Sequence, residues 1–204
     1  MKAARSVIFD LGGVLLDWRP ANVFAKCFRD LDSQEAARKA ILMHDDWRSF
    51  DRGDVSEPDL IARVCGRTSL SALDVQHVLD TIRDSLVELP ETVDVLHELC
   101  ARDVRLYCLS NMPVSIFQCV RERCSFWNVF SGVVISGAVG LIKPEHAVFE
   151  HLLGRYKLNA IETAFVDDHP ENIVGANAVG IEAILFRSAD QCRRDLTAFL
   201  AAKE

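Results

Sequence analysis

Asp10, Ser110, Lys143 and the pair Asp167/Asp168 each stand where a short apolar run ends, and together they hold the side chains needed to handle a phosphate. Asp10 closes Val7-Ile8-Phe9, Ser110 follows Leu106-Tyr107-Cys108-Leu109, Lys143 precedes Pro144, and the Asp pair follows Ala164-Phe165-Val166. A carboxylate trailed by Gly12-Gly13 suits a nucleophile meeting a tetrahedral anion while the backbone curls close around it. Ser110 offers a hydroxyl donor, and Asn111 and Met112 offer amides at the start of a helix, whose dipole favours an anion. Lys143 adds a positive charge that both holds a phosphate and favours the ionised form of a neighbouring carboxylate. Three carboxylates, Asp10, Asp167 and Asp168, cluster at a cost unless a cation sits among them, and oxygen donors of this kind suit Mg²⁺.

The elements that must bring these residues together follow from hydrophobic periodicity. From Pro90 onward, helical spacing alternates with short apolar runs. Helices are predicted over Pro90–Arg102, Pro113–Arg123, Pro144–Tyr156 and Pro170–Val179, and strands over Val104–Leu109, Gly132–Ile135, Thr163–Val166 and Glu182–Phe186. Proline near four helix starts and Gly180 just past a helix end are the expected start and stop signals. Apolar strands between helices predict an α/β fold, a Rossmann-like parallel sheet with helices on both faces. Ligands bind such sheets beyond the carboxyl ends of the strands, where the polar clusters lie.

The first strand, Ser6–Phe9, precedes the helix at Pro90 by about 80 residues, far more than a parallel crossover requires. Residues 21–31, 33–43, 57–65 and 71–86 show apolar positions three and four apart, with Ser33 and Ser71 as helix caps. The expected organisation is therefore an α/β core over residues 1–17 and 89–204, interrupted by a helical cap over residues 18–88 that overhangs the strand ends.

Composition narrows the function class. A 204-residue chain, half of it apolar, is one core with an insertion rather than two large domains. A formal charge of −7 argues against nucleic acid as a partner and leaves room for a small anion in a local positive pocket. No apolar run approaches the ~20 residues of a membrane span, so no membrane partner is expected. The seven cysteines are odd in number and scattered, without metal or redox spacing; most sit in apolar stretches as small hydrophobes, which fits a reduced cytoplasm. Oligomeric state is not legible.

In order along the chain, FDLGGVLLD, LSN, IKPE and FVDDHPENIVGANAVG resemble the four motifs of the haloacid dehalogenase superfamily of hydrolases, which are mostly phosphatases, and the helical insertion resembles its type-one cap. The resemblance implies that Asp10 is the nucleophile of an aspartyl-phosphate, that Ser110 and Lys143 bind phosphate, and that Asp167 and Asp168 hold Mg²⁺ with Asp10 and the Gly12 carbonyl. The implied activity is hydrolysis of a small phosphate monoester, a sugar phosphate or similar metabolite.

One position departs from that pattern. Phosphatases of this family usually carry a second Asp two residues after the nucleophile, acting as general acid and base, and here that position is Gly12. General acid–base assistance is worth ~10²- to 10⁴-fold. The chain is similar to a branch with glucose-1-phosphate phosphatase-like proteins and relatives of the epoxide hydrolase N-terminal domain, some of which also read Asp-x-Gly. Asp17 is either a substitute acid or the cap of the first inserted helix; His169 either touches substrate or is a solvated loop residue. His44, Asp45, Asp46, Trp47, Arg48 and Arg52 either face the site or form an exposed surface, and Glu145 suits a helix dipole beside His146. Two further readings remain: a 2-haloacid dehalogenase, and a phospholigand-binding module without turnover.

Overall fold

A computed structural model describes residues 5–202; residues 1–4 and 203–204, at the outer ends of the two core segments, lie outside them. Five strands, β1 (Ser6–Phe9), β2 (Arg105–Ser110), β3 (Phe130–Ile135), β4 (Thr163–Asp167) and β5 (Glu182–Leu185), form one parallel sheet in the order β3-β2-β1-β4-β5. The fold is the α/β, Rossmann-like sheet that the periodicity predicts. β1 runs through its centre: Phe9 pairs with Cys108 of β2 and Val166 of β4, and the Asp10 amide donates to the Val166 carbonyl at 2.9 Å. This register brings Asp10, Ser110 and Asp167 out at one edge of the sheet.

Side chains alternate across the sheet as pleating demands. Val7, Phe9, Leu106, Cys108, Ala164 and Val166 join one buried cluster, whereas Ile8, Tyr107, Leu109 and Phe165 join the other. Helices α6 (Pro90–Cys100), α7 (Val114–Arg123) and α11 (Ala189–Ala201) cover the first face, while α9 (His146–Tyr156) and α10 (Pro170–Ala178) cover the second. The single-turn α8 (Ser136–Val139) follows β3 and leads to Lys143. Gly180, past α10, adopts φ +84°, a conformation that glycine takes without penalty.

Between β1 and α6 lie five helices: α1 (Pro20–Cys27), α2 (Leu31–Ile41), α3 (Asp45–Arg52), α4 (Glu57–Arg67) and α5 (Ala72–Ser85). The chain leaves and returns side by side, with Asp17 N–H donating to Val87 O and Leu89 N–H to Leu15 O, both at 2.8 Å. Ser71 forms a capping box with Asp74. Ser33 is not a cap: Asp30 takes that role and accepts from the Ser33 amide at 2.8 Å, so α2 starts one turn-half earlier than its first serine. The α3 helix was not legible, because Trp47 and Phe50 are the only large apolar residues in its eight.

Of the seven cysteines, all free, only Cys108 and Cys192 are buried; Cys100 is exposed and the other four are half-buried, so the expectation of mostly buried hydrophobes holds for two. Among the described residues no helix is long and apolar enough to cross a membrane.

Candidate active site

The polar groups at the strand ends converge. Lys143 Nζ lies 2.8 Å from Asp10 Oδ1 and 2.7 Å from Asp167 Oδ2, and the lysine side chain is only 1% exposed. Asp10, Asp167 and Asp168 can each turn one carboxylate oxygen to within 4.8 Å of the others. Asp167 is fully engaged, taking hydrogen bonds from Lys143, the His169 amide and the Asn172 side chain. The buried Oδ1 of Asp168 has no hydrogen-bond partner among the described residues, and Asp10 Oδ1 has only the Lys143 ammonium beside it. Converging carboxylates with a buried oxygen left unpartnered are the donor set a hard divalent cation takes, so the residues fit Mg²⁺.

Charge is distributed unevenly in this cluster. Burial pushes the Asp10 carboxyl up to about 7, against the pull of the Lys143 ammonium, and Asp167 pushes it further. Burial also raises Asp168. Burial works against the charge on Lys143, yet Asp10 and Asp167 outweigh it and hold the ammonium above its usual range. Asp167 moves the other way: burial opposes its charge, but Lys143, His169 N–H and Asn172 keep it below the ordinary carboxylate range.

The two glycines after Asp10 differ. Gly13 adopts φ +75°, and a Cβ there would sit 2.3 Å from Asp168 Oδ2, so only glycine lets the loop approach the acidic pair. Gly12 has no such constraint, since a Cβ would meet only Trp18 at 3.6 Å, an ordinary contact.

Ser110 is buried and faces the same cavity as Asp10 and Lys143. Asn111 lines it too, but its side-chain amide is committed to the Lys143 backbone, donating to the carbonyl and accepting from the amide, both at 2.9 Å. It fixes the lysine backbone in place. The Met112 amide donates to Ser136 Oγ at 2.8 Å, so this expected phosphate donor is already engaged. The α7 helix begins at Val114 with Pro113 as N-cap, and Pro113 has no N–H to offer.

Above these groups is a cavity of about 480 Å³. Its far wall comes from the inserted helices: His44, Trp47, Arg48 and Asp51 of the α3 segment face into it, with Leu42 and Ile82 beside them. Asp51 was absent from the sequence reading. The signal was present, because 44, 47, 48 and 51 are spaced i, i+3, i+4 and i+7, but it is visible only once α3 is known to be a helix. His169 lines the cavity with its side chain 61% exposed, and it is also the N-cap position of α10, a place Asp168 does not take.

Two expectations are corrected. Asp17 neither lines the cavity nor caps α1; its carboxylate pairs with Arg19 at 2.8 Å, and Arg19 itself occupies the cap position. Glu145 does more than sit in the field of a helix: it accepts from Arg48 at 2.9 Å and from Arg52 at 3.0 Å, tying α3 to the core.

The haloacid dehalogenase-like hydrolases match residues 4–180 of the chain. The sesquiterpene phosphatase astK of Aspergillus oryzae is 29% identical over 177 residues, covering 87% of each protein. The ribulose-1,5-bisphosphate 5-phosphatase of Halopiger xanaduensis is 31% identical over 117 residues, or 57% of this chain and 49% of that protein. A HAD family enzyme of Bacteroides thetaiotaomicron, solved in complex with magnesium and inorganic phosphate, superposes with a TM-score of 0.72 at 20% identity, covering 91% of this chain and 95% of that one.

Proposed function

The chain belongs to the haloacid dehalogenase-like hydrolases, and from that premise we propose that it is a Mg²⁺-dependent phosphatase of a small phosphate monoester. The observation that carries this reading is the convergence of Asp10, Asp167 and Asp168, with the buried Oδ1 of Asp168 left unpartnered, beside a lysine shared by Asp10 and Asp167. That arrangement has one nucleophile, one fixed cation and room for a second. A 2-haloacid carboxylate would meet three acidic groups there, and an anion as highly charged as a phosphate ester justifies the cations better.

Asp10, Asp168 and the Gly12 carbonyl would hold the metal, with Asp167 beside them orienting Lys143. When bound, Mg²⁺ neutralises charge on the phosphoryl oxygens and favours the ionised form of Asp10. Asp10 attacks phosphorus in line, the ester oxygen leaves, and water then cleaves the aspartyl-phosphate. Lys143 and the Ser110 hydroxyl hold the phosphoryl oxygens, the lysine backbone being fixed by the Asn111 clamp and its ammonium by Asp167. Residues 18–88 act as the cap that limits access to small substrates, and the working compartment is the cytoplasm.

A sugar phosphate is the compact polar choice of substrate. A second reading of the alcohol part is favoured by the apolar wall of Trp18, Leu42, Trp47, Ile82 and Ile116 in the cavity, together with the sesquiterpene phosphatase among the relatives: an ester with an apolar body, such as a prenyl monophosphate. The test is phosphate release by the purified protein with Mg²⁺ over a panel holding both kinds of ester. At least one should be hydrolysed, and Asp10→Asn should abolish that release. A wild type indistinguishable from Asp10→Asn on every compound would end the proposal.

A further inference from the structure

We propose that Asp51, on the inserted helix α3, is the general acid and base of this reaction, in the role that Gly12 has no side chain to fill. The inference rests on the phosphatase reading and adds a catalytic residue to it.

Position 12 is not forced to be glycine. Its backbone is ordinary and a Cβ would touch only Trp18, so the missing acid leaves a chemical role open rather than answering a steric demand. Three carboxyl groups outside the acidic cluster line the cavity: Asp45, Glu171 and Asp51. The first two are exposed, whereas Asp51 is half-buried, close enough to Lys143 and Asp10 to feel the charge of both. The Trp47 side chain, one helical turn away on the same face, favours the charged form of its carboxyl.

Asp51 is also a residue at which the inserted helices are attached to the floor. Its carbonyl accepts from Ser136 Oγ at 2.5 Å, and the same Ser136 oxygen accepts from the Met112 amide. Two residues on, Gly53 adopts φ +90° and packs so closely that a Cβ would lie 2.5 Å from the Gly137 carbonyl oxygen. Arg48 and Arg52 then reach Glu145. All these anchors belong to residues 136–145, the stretch that carries Lys143. Asp51 is thus registered against the phosphate-binding lysine by a short run of chain, although it arrives from an insertion.

Its environment suits proton transfer. Burial pushes the Asp51 carboxyl up to about 7, while Trp47 and Lys143 pull it down and Asp10 pushes it up, so the acid form is available near neutral pH. In the first step Asp10 forms a bond to phosphorus, the phosphorus–ester oxygen bond breaks, and that oxygen takes the Asp51 proton to leave as the alcohol. In the second, the Asp51 carboxylate takes a proton from water as its oxygen attacks phosphorus. The bond to Asp10 breaks, phosphate departs, and both carboxyl groups return to their starting forms.

The test compares leaving groups with Asp51→Asn, an isosteric change. For an alkyl phosphate that the wild type hydrolyses, formation of the phospho-enzyme should slow by ~10²- to 10⁴-fold, because the alkoxide must leave unprotonated. With 2,4-dinitrophenyl phosphate, whose phenolate needs no proton, the pre-steady-state burst should keep its wild-type rate within about threefold, and its presence shows that the variant is folded. Turnover after the burst should be slow and phospho-enzyme should accumulate. Equal losses on both esters in the burst phase would reduce Asp51 to a structural role, and no loss on the alkyl ester would remove it from the reaction. A wild type that hydrolyses no ester sinks the phosphatase reading and this one with it; an active wild type with an unimpaired variant sinks only Asp51.

Discussion

Lys143 and Arg48 both bring a positive charge to one cavity, but the lysine side chain is 1% exposed between two buried carboxylates, while the arginine is 54% exposed and shares a single glutamate with Arg52. The floor and the roof of the site are held by different physics. In the floor, each charge has been taken out of water and is tolerable only because a partner of opposite sign is fixed beside it. In the roof, ion pairs remain in contact with solvent and contribute little, so seating depends on the buried Phe50, on the Ser136–Asp51 hydrogen bond and on the close approach of Gly53 to Gly137. Under the proposed function, the floor would carry the reaction common to phosphate esters, and the roof could change with the ester without unfolding the sheet.

The sharpest way to break that contrast is Lys143→Met. It leaves Asp10 and Asp167 buried side by side with no cation between them, which should cost ~3–5 kcal/mol in denaturant unfolding as well as all activity. A stability loss under about 1 kcal/mol would mean that water already screens the floor, and the distinction drawn here would fail. The roof counterpart is Gly53→Val. A β-branched residue at φ +90°, with its Cβ driven into the Gly137 carbonyl, should cost ~1–3 kcal/mol. Hydrogen exchange should rise in α3 and leave β1 protected, and exchange rising equally in both would show that roof and floor unfold as one unit.

The same contrast governs what could be read from the sequence. The floor was legible because each of its residues ends an apolar strand: Asp10, Ser110 and Asp167 needed only the register of a parallel sheet to meet, and the LSN and IKPE segments mark their places. Strand limits fell within two residues for the same reason, a run of buried apolar positions being a strong signal. The roof was not. Asp51 matters only through a helix whose eight residues include five charged ones, so no apolar period announced it, and its approach to Lys143 depends on contacts across more than 80 residues of chain. Asn111 shows a third case: its position was legible and its task was not, because a side-chain amide at a strand end can face a ligand or grip a neighbouring backbone, and only geometry separates the two.

Glu145→Gln is the smallest change and separates ion pairing from packing at the boundary of roof and floor. Hydrogen bonding from Arg52 outweighs burial and holds the Glu145 carboxyl below its ordinary value of 4.5. A carboxyl lowered in the folded state stabilises it above the unfolded value, and that contribution fades as pH falls through the folded one. With the side chain 36% exposed, solvent screening keeps the effect below about 1 kcal/mol. The wild type should therefore melt slightly higher than the variant from pH 7 down to about 4.5, and the two should converge below that pH as Glu145 protonates. Added salt should shrink the gap at pH 7. A gap that persisted undiminished at pH 3 and in high salt would show that the Glu145 side chain holds α3 by contact rather than by charge, and the roof would then be fastened by the same close packing at Glu145 as at Gly53.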